Sequence, residues 1–194
     1  MFNVANVKST LVDFDPISGL SKSRSSIRRK LSNMKGIFYD KAAYDAALSK
    51  GDPLVYEFYE MGVPHSSGDV AYGTTITYPG KIGDEYHMTK GHFHTALDTA
   101  EVYFCLGGHG LMLMENPEGD VEVQEFRKGQ VVYVPCRYAH RGINISVDRP
   151  LIAFFACPGH AGHDYGTIET KGFRKLVVER NGKPTLIDNP RWTR

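Results

Sequence analysis

The segment that is most informative about this chain reads Thr89-Lys90-Gly91-His92-Phe93-His94-Thr95-Ala96-Leu97-Asp98-Thr99-Ala100-Glu101-Val102-Tyr103. On an extended strand the side chains alternate between faces, so His92 and His94 point the same way and Phe93 points the other way. After a short polar link the chain resumes as an apolar segment that opens on Glu101. If these two segments pair as a hairpin, the carboxylate joins the two imidazoles in a donor set suited to a first-row metal ion.

A second segment farther along the chain supplies a fourth possible ligand, His140. This segment reads Gly129-Gln130-Val131-Val132-Tyr133-Val134-Pro135-Cys136-Arg137-Tyr138-Ala139-His140-Arg141-Gly142-Ile143-Asn144. A third imidazole beside His92, His94 and Glu101 would complete a site for one divalent ion.

The two segments resemble the paired motifs of the cupin superfamily, G-x5-H-x-H-x3,4-E-x6-G and G-x5-P-x-G-x2-H-x3-N. In the first motif, Tyr86 stands where the leading glycine is expected, and six residues rather than three or four separate His94 from Glu101. The second segment has Arg137 in place of the inner glycine and matches the other positions, Gly129, Pro135, His140 and Asn144.

The longer spacing is similar to that of the cupin-type glucose-6-phosphate isomerases of archaea and some bacteria. The patterns T-x-G-H-F-H, E-x-Y and P-x-x-x-A-H-R-x-x-N of that family all occur here, and the runs 161–168 and 188–192 are also family-like. The resemblance extends from about Leu31 onward, and the combination of motifs is far more specific than H-x-H alone. It implies a cupin barrel with the ligand inside.

Short apolar segments separated by turn signals independently predict an antiparallel all-β fold. With the resemblance, the expected fold is a cupin barrel, a double-stranded β-helix or jelly roll, with an N-terminal extension and short helices. The predicted strands are 54–61, 70–78, 85–89, 101–106, 110–115, 121–126, 130–134, 142–145 and 151–157, followed by a pair at 174–179 and 184–187 that turns at Asn181-Gly182.

We expect one domain over residues 1–194. Residues 1–50 would form an N-terminal arm and a short helix, residues 51–160 the barrel core, and residues 161–194 C-terminal strands packed on the barrel. The helix is predicted over 41–48 with Asp40 as its N-cap. The basic run Arg28-Arg29-Lys30 is interpreted as a solvated face.

The composition favours a small-molecule partner. With 23 basic and 22 acidic residues the net charge is +1, so no strong field favours nucleic acid or a membrane surface. The N-terminus has no apolar core of signal-peptide length, and the longest apolar run, 151–157, is too short to span a membrane. We therefore expect a cytoplasmic protein whose three cysteines, Cys105, Cys136 and Cys157, are reduced and act as small buried hydrophobic residues.

Three imidazoles and one carboxylate leave two positions free on an octahedral ion, so His92, His94, Glu101 and His140 predict a catalytic metal site. The two free positions suit O1 and O2 of an open-chain sugar and the enediolate formed when the C2 proton leaves. The family resemblance favours Fe²⁺, while Mn²⁺, Ni²⁺ and Zn²⁺ also bind nitrogen and oxygen ligands.

Glu101 is the expected base that carries a proton between C1 and C2, because it lies beside the metal, and the resemblance implies the same role. A carboxylate held firmly by a metal ion is a poorer base, so its two roles compete. A hydride shift between the two carbons is an alternative that the sequence leaves open.

The resemblance implies the remaining site residues. Tyr103 shares the face of Glu101 and could orient it or the substrate, while His163 and Tyr165 are expected at the sugar end, where His163 could assist ring opening. No P-loop motif is present, so hydroxyl and backbone N–H groups would bind the phosphate. The family pattern points to Tyr56, Thr75, Thr89 and Gly91.

The function that we expect is interconversion of glucose 6-phosphate and fructose 6-phosphate by a homodimer. Mannose 6-phosphate isomerisation, alone or as a second activity, is the nearest rival, because both reactions pass through one enediol. Non-haem iron dioxygenation fits the ligands, and a non-catalytic sugar-binding cupin fits the fold.

Overall fold

The computed structural model describes residues 9–61 and 65–192, so residues 1–8 of the predicted arm lie outside the described part. In the described part, strands are the dominant element, beside helices α1 (Lys41–Lys50) and α2 (Gly166–Lys171) and a 3-10 helix at Leu31–Met34. The strands are β1 (Ile27–Lys30), β2 (Leu54–Glu60), β3 (Val70–Thr77), β4 (Lys81–Ile82), β5 (Glu85–Tyr86), β6 (Glu101–Gly107), β7 (His109–Glu115), β8 (Val121–Arg127), β9 (Val131–Val134), β10 (Ala139–Asn144), β11 (Leu151–Pro158), β12 (Lys175–Arg180) and β13 (Lys183–Asp188).

Two antiparallel sheets form the body of the fold. One has six strands in the order β1-β2-β3-β11-β6-β9, and the other has three in the order β10-β7-β8. Buried side chains of both sheets pack in one cluster, with Met112 and Phe126 from the smaller sheet against Cys105, Val134 and Ala153 from the larger one. The sheets therefore enclose a shared interior, and the predicted all-β cupin barrel is confirmed.

A third sheet, in the order β13-β12-β5-β4, lies beside the barrel. Its hairpin turns at Asn181-Gly182, as predicted, with Asn181 at φ 53°. Phe173 and Val177 near this sheet pack with Leu31 and Phe38 from the N-terminal region. The two ends of the described chain thus pack against each other through apolar contacts.

Helix α1 begins where the sequence predicts. The Asp40 side chain accepts a hydrogen bond from the Ala43 N–H at 2.9 Å, which satisfies one of the free donors of the first turn. The helix ends at Lys50, two residues beyond the predicted end, and the Gly51 N–H donates to the Leu48 carbonyl.

The predicted hairpin between the histidine segment and the Glu101 strand is wrong. His92 pairs with His140, whereas β6, which carries Glu101, pairs with β9 and β11. The strand predicted over 85–89 is shorter in the structure, where β5 ends at Tyr86. Strand β10 begins at Ala139 rather than at the predicted residue 142. The prediction missed its first residues because the buried polar side chains His140 and Arg141 interrupt the apolar pattern.

Other differences are local. Helix α2 was not expected, because it is too short for a periodic signal; the Asp164 side chain accepts from the Gly166 N–H at 3.0 Å where the helix begins. Cys105 and Cys157 are buried as predicted, but Cys136 is exposed, because it lies in the turn between β9 and β10. Among the described helices, none has the length and apolar character that crossing a membrane requires.

The buried carboxyl of Glu85 makes the stability of the fold depend on pH. Burial raises the pKa of Glu85 to about 7, even though the Tyr39 N–H and the charge of Arg141 lower it. Because this pKa lies above the ordinary 4.5, the stabilisation is fully present below pH 4.5 and is lost as the pH rises through 7.

We predict that Glu85→Gln removes this dependence. Between about pH 5 and about pH 8, the wild type should lose about 3 kcal/mol of unfolding free energy relative to the variant. Urea titrations at several pH values measure the difference, with exposed Glu122→Gln as the control. A difference between Glu85→Gln and wild type that stays constant with pH would contradict the assignment.

Candidate functional site

A cavity lies in the barrel interior. Every site residue predicted from the sequence except His94 lines it, and His94 lies next to it with its ring toward Glu101. The predicted lining residues are Tyr56, Thr75, Thr89, Gly91, His92, Glu101, Tyr103, His140, His163 and Tyr165.

The backbone brings the two histidine segments together. The His92 N–H donates to the His140 carbonyl at 3.3 Å, and the His140 N–H donates to the His92 carbonyl at 3.1 Å. Phe93 points away into the main apolar core, as the alternation predicts. Gly91 begins this segment at φ 79°, and a Cβ there would lie 2.7 Å from the Phe173 ring, so only glycine fits without strain.

Four side chains converge on one point, as the sequence predicts. The ligand atoms of His92, His94, Glu101 and His140 all lie within 4.8 Å of one another. The Glu101 Oε2 atom lies 3.1 Å from His94 Nε2 and 2.9 Å from His140 Nε2. Three nitrogen donors and one carboxylate oxygen at such spacing could hold a divalent metal ion.

Hydrogen bonds behind the rings orient two of these imidazoles. The His94 Nδ1 atom lies 2.9 Å from the Thr99 hydroxyl and 3.1 Å from the Thr99 carbonyl, and His140 Nδ1 lies 3.3 Å from the Tyr138 carbonyl. A carbonyl partner requires N–H at Nδ1, which leaves the Nε2 lone pair free for a metal ion.

Buried atoms without partners support this interpretation. The Nε2 atoms of His92 and His140 are buried and form no hydrogen bond in the described part of the chain; the contact of His140 with Glu101 is close but poorly aligned. Buried polar atoms normally have a partner, so these nitrogens fit a bound ion.

The electrostatic environment favours the protonation states in which Glu101 and His92 can bind a metal ion. Burial alone would raise the pKa of the Glu101 carboxyl, but the close contact with His140 and the hydrogen bond with His94 hold it well below its usual range. Burial and the neighbouring His140 lower the pKa of His92. Near neutral pH the site therefore presents a carboxylate and at least one neutral imidazole.

Three aromatic side chains surround one side of the cluster. The His163 ring lies 4.5 Å from the His92 ring, centroid to centroid, and stacks on Tyr165 at 5.8 Å. Burial raises the pKa of Tyr165 to about 12, and burial with the charge of Glu101 raises the pKa of Tyr103 well above its usual value. Both phenols are therefore protonated and can donate hydrogen bonds to a ligand.

Hydroxyl groups form another part of the cavity lining. Tyr56 and Thr77 are partners across β2 and β3, as are Phe58 and Thr75. Thr89 is fixed by backbone hydrogen bonding to Gly142 and accepts from the Gly142 N–H through its own hydroxyl at 3.1 Å.

Sequence reasoning missed several lining residues. Phe58, Glu60 and Thr77 lie at spacing i, i+2 from predicted residues, so the alternation of β2 and β3 could have identified them. The other missed residues include Met112, Phe126 and Phe155.

Two charged residues near the motifs do not line the cavity. Arg137, in place of the motif glycine, has φ 70°, a left-handed conformation that explains the usual glycine, and its guanidinium pairs with Glu118. The Lys90 ammonium lies 2.6 Å from the Glu169 carboxylate.

An antiparallel barrel that closes on three histidines and a glutamate defines a cupin with a candidate metal site. Within that class, the chain belongs to the glucose-6-phosphate isomerase family, whose model matches residues 28–192.

Individual relatives share most of their length with this chain. The glucose-6-phosphate isomerases of Thermococcus litoralis and Pyrococcus furiosus are each 48% identical over 181 residues, which cover 93% of this chain and 94% of theirs. Among solved structures, an oxalate oxidase in complex with the substrate analogue glycolate is similar, with a TM-score of 0.49 and 12% identity over 59% of this chain and 56% of that chain.

We predict that Thr99→Val weakens metal binding about tenfold, because it removes the hydroxyl that accepts from His94 Nδ1 while the Thr99 carbonyl remains. Titration calorimetry with a divalent ion measures the effect, with exposed Thr95→Val as the matched control. Equal affinities of the two variants would show that the Thr99 hydroxyl does not orient His94.

Proposed function

We propose that the cavity is where this chain interconverts glucose 6-phosphate and fructose 6-phosphate. The observation that carries the proposal is the convergence of His92, His94, Glu101 and His140 inside a cavity lined by the residues of the family pattern. The family model matches nearly all of the chain, which favours an isomerase over a dioxygenase or a sugar-binding protein.

The four clustered side chains would hold one divalent ion per subunit, and Fe²⁺ is the ion that we propose, with Mn²⁺, Ni²⁺ and Zn²⁺ as alternatives. Bound there, the ion would act as a Lewis acid that neutralises negative charge developing on the substrate oxygens. The unpartnered buried Nε2 atoms of His92 and His140 support this assignment.

Glu101 would move the proton. It takes the proton from C2 of the open-chain aldose as O1 gains a proton, which gives a cis-enediol. It then returns the proton to C1 as the O2 hydroxyl loses its proton and becomes the ketone, so the net change is one proton from C2 to C1 and one from O2 to O1. Both histidine contacts of Glu101 use Oε2, so neither histidine holds Oε1. This division lets one carboxylate serve as both ligand and base.

Ring opening and hydrogen bonding to the sugar would fall to His163, Tyr103 and Tyr165. A neutral imidazole has one N–H and one lone pair, so His163 can give a proton to the ring oxygen and take one from the O1 hydroxyl during ring opening. Burial lowers the pKa of His163, which favours that neutral form. The Tyr103 and Tyr165 phenols would donate hydrogen bonds to sugar hydroxyls or orient Glu101.

The phosphate would lie at the hydroxyl-rich side of the cavity. Tyr56, Thr75 and Thr89 offer O–H donors there, and Gly91 allows the backbone to approach closely.

A hydride shift is the alternative mechanism, and solvent exchange distinguishes the two. A base that carries the proton allows exchange, so product formed in D₂O should contain deuterium at C1 or C2. A hydride passed directly between the carbons leaves both positions free of solvent deuterium.

We further propose that residues 1–194 form a single cupin domain, with the arm and helix at 1–50, the core at 51–160 and the packed C-terminal strands at 161–194. We place the protein in the cytoplasm, in glycolysis and gluconeogenesis, without nucleic-acid partners, in keeping with its net charge of +1.

We also propose a homodimer formed through an outer apolar patch of Val102, Phe104, Val131 and Tyr133. Val131 and Tyr133 are each 61% exposed, and their strand β9 is the edge of the six-stranded sheet in the described structure. An unpaired edge strand beside an apolar face suits packing against the same surface of a second copy.

The function is tested on chelator-stripped protein supplied with Fe²⁺, Mn²⁺, Ni²⁺ or Zn²⁺, with fructose 6-phosphate and mannose 6-phosphate as substrates. Metal-restored formation of glucose 6-phosphate is expected. If folded, metal-loaded protein stays inactive with every ion, the isomerase proposal fails.

For Glu101→Gln we predict a fall in kcat of about 100-fold or more, because the base is lost. Metal content is measured by mass spectrometry on the same samples. Glu60→Gln, which changes the other carboxylate of the cavity lining, should lose much less. A loss below about tenfold in metal-replete Glu101→Gln would exclude Glu101 as the base.

For Tyr133→Glu we predict a shift from dimer to monomer, because the charge would be buried in the interface. Light scattering at micromolar concentration gives the mass. Val147→Glu, at another exposed apolar position, is the control. A monomeric wild type would refute the dimer.

A further inference from the structure

We infer that Arg29 is the positively charged residue that binds the substrate phosphate and selects for phosphorylated sugars. This inference rests on the proposed phosphate side of the cavity, at Tyr56, Thr75, Thr89 and Gly91. Arg29 lies in the basic run Arg28-Arg29-Lys30, whose pattern alone predicts only a solvated face.

The strand register directs Arg29 toward the cavity. Strands β1 and β2 pair antiparallel, with Arg29 directly opposite Tyr56 and Arg28 opposite Glu57. Directly opposed side chains lie on the same face of a sheet. Tyr56 is buried and lines the cavity, so Arg29 is on the inner face, whereas Arg28 is on the other face, 4.0 Å from the Glu57 carboxylate.

The Arg29 side chain has unused hydrogen-bonding capacity. Its Nε atom is buried and has no partner among the described residues. Buried polar groups are normally paired, so a donor in this state indicates an acceptor that is supplied from elsewhere. A guanidinium offers five N–H donors in a planar fork that matches a phosphate.

The positive charge of Arg29 affects the pKa values of two phenols in the cavity lining. Burial raises the pKa values of Tyr56 and Tyr165, and the positive charge of Arg29 partly offsets both shifts. The guanidinium therefore acts electrostatically on the part of the lining that holds both phenols.

A phosphate in the cavity would need a cation from just outside its lining. Among the described residues, the lining includes the carboxylates of Glu60 and Glu101 but no lysine or arginine side chain, and Arg29 lies next to it beside Tyr56. Arg141 is a buried residue nearby, but its guanidinium lies over the Phe173 ring and donates to the Lys90 carbonyl behind the motif loop. Arg29, next to Tyr56, is thus the cation best placed to offset the phosphate charge.

The test compares Arg29→Gln with Arg28→Gln, which removes the same charge one residue away on the opposite face. Calorimetry measures binding of glucitol 6-phosphate, the reduced substrate that cannot isomerise, and of unphosphorylated glucitol. We expect Arg29→Gln to weaken binding of the phosphorylated ligand about 10- to 100-fold relative to Arg28→Gln, with no change for glucitol. In the active enzyme, the KM for fructose 6-phosphate should rise by a similar factor with kcat less affected.

Arg29→Lys is the control for a folding defect. It keeps the charge and should therefore recover part of the affinity. Melting temperatures verify that all variants fold. Affinity of Arg29→Gln for glucitol 6-phosphate within about twofold of Arg28→Gln would overturn the inference. Calorimetry involves no turnover, so the binding result is independent of the isomerase assay. An inactive wild type would refute the proposed function, whereas the role of Arg29 would still be decided by the binding measurements.

Discussion

The site depends on two reciprocal backbone hydrogen bonds between His92 and His140. They join segments that lie far apart in the chain, and they fall outside any continuous ladder, as an isolated bridge. Neighbouring contacts support the register on both sides, from Thr89 to Gly142 and from Phe93 to Asp164. Because side chains alternate along extended backbone, a slip of one residue would turn an imidazole out of the cavity.

Much of this arrangement could be predicted from local sequence. The spacing of His92 and His94 sets a shared face, and Asn181-Gly182 sets a hairpin, because each depends only on neighbouring residues. The approach of Glu101 could not be predicted in the same way. Its strand reaches the histidines from the larger sheet, and the choice among strand partners is made by packing across the whole barrel.

Buried polar residues account for most of the other failures. Strand β10 contains His140 and Arg141, which hide it from any pattern based on apolar residues, although both are buried. The inner-face position of Arg29, which is partly buried, could not be predicted either, since a run of charges indicates solvent unless the partner strand is known. Arg137 shows the opposite limit: the departure from a glycine motif was visible, but its left-handed backbone was not.

The cluster draws its members from two different sheets. His140 belongs to the three-stranded sheet and carries His92 with it through the paired backbone, whereas Glu101 belongs to the six-stranded sheet. Breathing of the barrel, in which the sheets move apart or slide slightly, therefore changes the gap between the carboxylate and His140 while the pair of imidazoles keeps its spacing.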